Sequence, residues 1–71
     1  MAKLESNTNT QGFCKIVLEE DAVVGTYIYI YETPQSAFPE HDYLQDNMLI
    51  AQEVCQEDYG VPMSSWLEVT E

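Results

Sequence analysis

The chain predicts a small α+β domain of order ββαβ: a three-stranded sheet, made of a β-hairpin plus a C-terminal strand, with one helix packed on one face. Three observations point there. Residues 23–31 end in Tyr27-Ile28-Tyr29-Ile30-Tyr31 and are rich in the residue types that suit a pleated, half-buried surface. Between Pro39 and Gly60 the apolar residues recur at helical spacing. From Val61 to Thr70 the pattern returns to period two, with Met63, Ser65, Leu67 and Val69 set against Ser64, Trp66, Glu68 and Thr70.

In chain order, Met1 to Gln11 include the polar run Ser6-Asn7-Thr8-Asn9-Thr10 and show no periodicity. They read as a flexible N-terminal tail, which leaves residues 12–71 as the single α+β domain. Phe13 to Glu19 is a first strand, Glu20-Asp21-Ala22 an acidic turn, and Val23 to Tyr31 the second strand. Residues paired across an antiparallel ladder share a face, so parity tests the turn. A two-residue loop would pair Leu18 with Val23 and put the apolar side of the first strand with the tyrosines. A three-residue loop pairs Leu18 with Val24, Ile16 with Thr26 and Cys14 with Ile28. It gathers Cys14, Ile16, Leu18, Val24, Ile28 and Ile30 on one face and leaves Phe13, Lys15, Val17, Tyr27, Tyr29 and Tyr31 on the other, and is therefore the expected register.

Pro34 ends the second strand and Phe38 anchors the connector. Pro39 suits the first helical position, and Glu40 and Asp42 suit the positive end of the helix dipole. The expected helix runs from Pro39 to Tyr59 and stops at Gly60, with Pro62 just beyond. Leu44, Met48, Ala51 and Cys55 fall on one narrow stripe, flanked by Tyr43, Ile50 and Val54. Opposite them Asp42, Asp46, Glu53 and Glu57 fall within about 60° of one another. Like charges at this spacing mildly oppose the helix, so the acidic ridge is either tolerated or used.

Composition narrows the partners. Thirteen acids against Lys3 and Lys15 give 71 residues a formal charge of −11. Phosphate backbones and anionic lipids are bound by clusters of Lys and Arg, so direct binding to nucleic acid or to an acidic membrane is not expected. The start of the chain holds no apolar signal core and no window approaches a membrane span. Two cysteines outside any Cys-x-x-Cys spacing fit a reduced, cytoplasmic protein.

Several residues invite a chemical reading. His41 stands between Glu40 and Asp42, but side chains at i,i+1 on a helix diverge, and no second histidine exists to complete a metal site. It reads as a solvated first-turn residue. Cys14 and Cys55 are expected to point into one core as small hydrophobes, with a helix-to-sheet disulfide as the alternative. Ser64, Ser65, His41 and the acids supply the residue types of a hydrolase. There is neither a nucleophile elbow nor a Gly-rich phosphate loop, and so short a chain has little material for a deep pocket. Acids of the hairpin tip, Glu19, Glu20 and Asp21, could meet Glu57 and Asp58 to hold calcium, although the calcium-loop pattern is absent. No cofactor or metal is expected, and no enzymatic activity.

One helix covers one face of a sheet. The other carries Tyr27, Tyr29 and Tyr31, with Phe13, Val17 and Trp66. Tyr and Trp are enriched at interface cores, so the sequence reads as a small acidic protein–protein interaction module that self-associates as a homodimer through Phe13, Tyr27, Tyr29, Tyr31 and Trp66. The alternative is an acidic charge mimic or inhibitor that meets a basic protein, for example a nucleic-acid-binding one, through Asp42, Asp46, Glu53 and Glu57. A third class, a small-ligand or enzymatic domain, would need a concave site near His41 or the cysteines.

Overall fold

Strand β3 (Gly25–Tyr31) has two edges to satisfy, and each receives a neighbour. In the computed structural model, which describes residues 2–7, 14–33 and 35–69, β2 (Lys15–Asp21) pairs with one edge and β4 (His41–Gln45) with the other. β2 in turn pairs with β1 (Lys3–Ser6), and β1 with the two-residue β5 (Leu67–Glu68). The result is a five-stranded antiparallel sheet of order β4-β3-β2-β1-β5 with a single helix, α1 (Met48–Tyr59), on one face. The α+β class and the helix on one sheet face hold. The count of three strands is corrected to five.

The two added strands come from segments assigned otherwise. Lys3–Ser6, placed in the tail, completes the outer edge of β2, and Glu20 N–H donates to Ala2 O at 2.9 Å. His41–Gln45, placed in the first turns of the helix, pairs with β3, and Glu40 N–H donates to Ile30 O at 2.7 Å. The backbone groups of so apolar a strand as β3 need partners, and that demand overrides the helical spacing of Leu44 and Tyr43. The helix starts instead at Asn47, whose Oδ1 accepts the Ile50 N–H at 2.9 Å. It ends as expected: Gly60 is left-handed at φ 69°, and Val61 N–H donates to Cys55 O at 3.2 Å.

Parity placed the faces correctly, but the hairpin register lies four residues further along β3. Leu18 pairs with Ile28 and Ile16 with Ile30, so the loop is Ala22-Val23-Val24, with Val24 outside the core. Asp21 Oδ1 holds this loop by accepting the N–H groups of Val23 and Val24 at 2.8 and 3.1 Å. Ile16, Leu18, Ile28 and Ile30 then meet Ala51 and Cys55 of α1, and Val61 just after it, in one buried cluster. Leu4, Met48, Val54, Tyr59 and Trp66 pack around it. Ser6, also fully buried, shares a 2.9 Å hydroxyl contact with Ser65 in the 3-10 turn Met63–Ser65, and the Ser65 hydroxyl donates to Pro62 O at 2.8 Å. These bonds tie β1 to the segment leading into β5.

Gly25 is the tightest crossing. Its φ is +124°, and a Cβ there would collide with the Gln45 carbonyl and lie 3.2 Å from that of Asp46. Both backbone strain and the fixed carbonyls oppose a side chain, so Gly25→Ala is expected to destabilise the fold by about 2 kcal/mol or more. Urea unfolding followed by tryptophan fluorescence measures it, and a change below about 0.5 kcal/mol, the range of neutral surface substitutions, would contradict this account.

Candidate functional site

The face of the sheet turned away from α1 is the candidate site, and the ladder registers build it in three rows. The first crosses all five strands: Asp42, Tyr29, Val17, Glu5 and Leu67. A second holds Leu44, Tyr27, Glu19 and Lys3, and a third Tyr31 and Lys15. Period-two alternation alone accounts for the selection, since the same strands send Ile16, Leu18, Ile28 and Ile30 the other way.

Its side chains hold one another. The rings of Tyr27 and Tyr29 stack with centroids 5.8 Å apart at an interplanar angle of 16°. Lys15 Nζ lies 4.5 Å from the centre of the Tyr31 ring, within cation–π range. Lys3 Nζ pairs with Glu19 Oε2 at 3.7 Å. Val17, in the centre of the first row, is only 6% exposed although no helix covers it. Burial, followed by the negative charges of Glu19 and Asp42 and the neighbouring phenols, lifts the Tyr29 hydroxyl above its ordinary value of 10.0. Tyr29 therefore stays a protonated hydrogen-bond donor at neutral pH.

The site differs from the expected one at both ends. Tyr27, Tyr29 and Tyr31 lie together on the open face, as alternation requires. Trp66 does not join them: it packs against the buried cluster on the helix side. Phe13 lies outside the described residues. Leu44 and Leu67, 49% and 63% exposed, complete the apolar surface. Neither carried a clear signal: His41-Asp42-Tyr43-Leu44-Gln45 mixes polar and apolar residues on both faces, and a strand of two residues is too short to carry a pattern.

The acidic ridge does not form. Asp42 stands on β4 opposite Tyr29, Asp46 lies in the link to α1, and Glu53 and Glu57 alone share a helix face. The start of α1 is the reason, because a ridge over all four needed a helix from Pro39. His41 is likewise in β4, exposed, with its ring stacked on Tyr43 at 6.1 Å. Tyr43 is hydrogen-bonded to Tyr59, whose hydroxyl is raised above its ordinary value by burial and by that bond. Ser65, beside β1, and His41, on β4, stand at opposite sides of the sheet. Of the hairpin-tip acids, Glu20 and Asp21 border a hollow with Asp46 and Asn47 at the start of α1, far from its end at Glu57 and Asp58, and Glu19 stands on the open face paired with Lys3.

The cysteines are both free and are not equivalent. Cys55 is fully buried in the core, whereas Cys14 is half-exposed and its thiol donates to the Glu32 carbonyl at 3.2 Å. The shared core position expected for the pair is corrected accordingly. No family model, curated protein or solved structure matches the chain. No helix among the described residues is long and apolar enough to cross a membrane.

Burial, with Asp58 nearby, pushes the Cys55 thiol from 9.0 up to about 12. The unfolded chain thus releases that proton first, so the stability contributed by Cys55 is complete below pH 9.0 and is lost progressively up to about 12. A disulfide reagent at pH 8 is expected to label Cys14 at once and Cys55 only on unfolding. Equal labelling rates in the native state would refute the placement of Cys55.

Proposed function

We propose that the chain is a protein–protein interaction module that self-associates through its open sheet face, two copies packing face to face as a homodimer. The supporting observation is where the charge lies. Both lysines of the chain stand in the three rows of that face, against Glu5, Glu19 and Asp42, a net −1 within a chain of −11. The remaining −10 lies outside these rows, so contact through this face brings together two nearly neutral surfaces.

The same face carries the side chains that gain from losing water. Leu44 and Leu67 are exposed and three tyrosines are half-exposed, a composition typical of interface cores. In a two-fold arrangement the patch meets itself, so Lys15 of one copy can face an acid of the other without a second, complementary surface. Five strands at the usual spacing make a face about 24 Å wide. An interface of this size belongs at the small end of specific contacts, so the dissociation constant is expected in the micromolar range.

Sedimentation velocity over a concentration series tests the proposal. A dimer is expected at high micromolar concentration, changing little between low and high salt because apolar contact dominates. Tyr29→Glu sets a carboxylate beside Glu19 and Asp42 and is expected to give a monomer with an unchanged circular dichroism spectrum. A clean monomer of the unmodified chain throughout the series would overturn the reading. Association that falls steeply with salt would transfer it to charge-driven binding.

A further inference from the structure

The hydrogen-bond ladder leaves one strand edge open. Glu20 N–H donates to Ala2 O, in register with the β1–β2 pairs, so the even-numbered residues of β2 bond to β1 and the odd-numbered ones to β3. Alternation carries the pattern across the sheet. Tyr27 and Tyr29 bond back to β2, while Ile28 and Ile30 turn to β4, and Ile30 O accepts the Glu40 N–H there. In β4, then, Tyr43 and Gln45 bond to β3, and Asp42 and Leu44 turn their N–H and C=O groups outward. Both residues are exposed, and among the described residues no strand lies beyond them. The opposite edge of the sheet offers less: in β5, Leu67 bonds to β1 and Glu68 alone faces out.

The side chains around this edge decide what can join it. Residues 40–46 carry Glu40, Asp42 and Asp46 and no lysine, in a chain of −11. The β4 of a second copy added here would set acids beside acids, whereas a cationic strand is drawn to them. The Asp42 and Leu44 side chains stand on the open face. Tyr43, 45% exposed, stands on the helix side, where it shares a hydrogen bond with Tyr59. By the rules of cross-strand pairing, the neighbour that suits Asp42 is a cation, the one that suits Leu44 is apolar, and the one that suits Tyr43 is β-branched or aromatic.

We propose that β4 takes up an extended basic segment of a partner protein as a sixth, antiparallel strand. Asp42 and Leu44 each exchange a pair of main-chain hydrogen bonds with it. Read in the segment's own direction, the order is an apolar residue opposite Leu44, a β-branched one opposite Tyr43 and Lys or Arg opposite Asp42, with further cations on either side near Asp46 and Glu40. The antiparallel sense continues that of every other pair in the sheet. The bonding groups lie in the plane of the sheet, at its rim and not on its tyrosine face, so this proposal and the homodimer can each fail alone.

The test is a two-dimensional amide NMR titration of the full chain with the peptide acetyl-Lys-Val-Ile-Arg-Lys-amide at constant ionic strength. Saturable shifts are expected at Asp42, Tyr43 and Leu44, with slower hydrogen exchange of the Asp42 and Leu44 amides. Methylating the peptide's Val and Arg nitrogens keeps every charge and side chain but removes the two donors that face β4, and is expected to weaken binding about tenfold or more. A peptide with Glu in place of its Arg and Lys residues is expected to give no shifts. The triple variant Glu40→Gln, Asp42→Asn, Asp46→Asn removes three exposed charges and is expected to weaken binding about tenfold. Equal affinity of the methylated peptide, equal shifts with the Glu peptide, shifts centred on Glu53 and Glu57, or unweakened binding by the triple variant would overturn the proposal.

Discussion

The structure depends on two cross-strand pairs, Ile16 with Ile30 and Leu18 with Ile28. All four side chains are at most 1% exposed and form the floor on which Ala51, Cys55 and Val61 rest. With the pairs in place, period two decides every other position on β2 and β3. Lys15, Val17, Tyr27, Tyr29 and Tyr31 are sent to the far side with no further choice. A slip of one residue would exchange the faces, leaving isoleucines in water and tyrosines under the helix, so the register is strongly selected. The open face is thus a consequence of the core.

Among the described residues one twelve-residue α-helix packs on the sheet, and one helix covers one face. Five strands therefore present more sheet than the chain can bury, and the excess appears on the side of Tyr29 and Val17. The edges are handled differently. On one side β5 is two residues long, too short an edge to template further pairing. On the other, β4 is bounded by Pro39 and the acids Glu40, Asp42 and Asp46, which oppose edge-to-edge addition by charge. The proposed contact between copies would then use the open face.

What was legible in the chain follows from which forces act locally. Face assignment on β2 and β3 needed only alternation and loop parity, and it held for Ile16, Leu18, Ile28, Ile30 and all three tyrosines. The helix C-terminus needed only Gly60. The exact pairing was not legible, because moving the loop centre from Asp21 to Val23 preserves parity while shifting each partner along the strand. Nor were β1 and β4, since each is called into the sheet by an edge it cannot sense from its own sequence. His41–Gln45 has no period-two pattern of its own, and the otherwise unpaired edge of β3 draws it into the sheet. Asn47, a strong N-cap three residues before Ile50, was the local mark of the true helix start. Trp66 was displaced from the site for the same reason: its place follows from Val61 and the 3-10 turn docking on the core.

The open face has one property that bears on the kind of contact it can make. Val17 is nearly as buried as the true core, yet only neighbouring side chains cover it. The stacked rings of Tyr27 and Tyr29 and the Lys15–Tyr31 contact mean that the face is already ordered in a single chain. A face ordered in this way differs from the raw core that the subunits of an obligate dimer expose. Association through such a surface also loses little side-chain freedom, because tyrosines have few rotamers and these are restrained before contact. Under the proposed function these two effects act together. Pre-ordering favours binding, while the small area limits it, and the outcome expected is a reversible contact set by protein concentration.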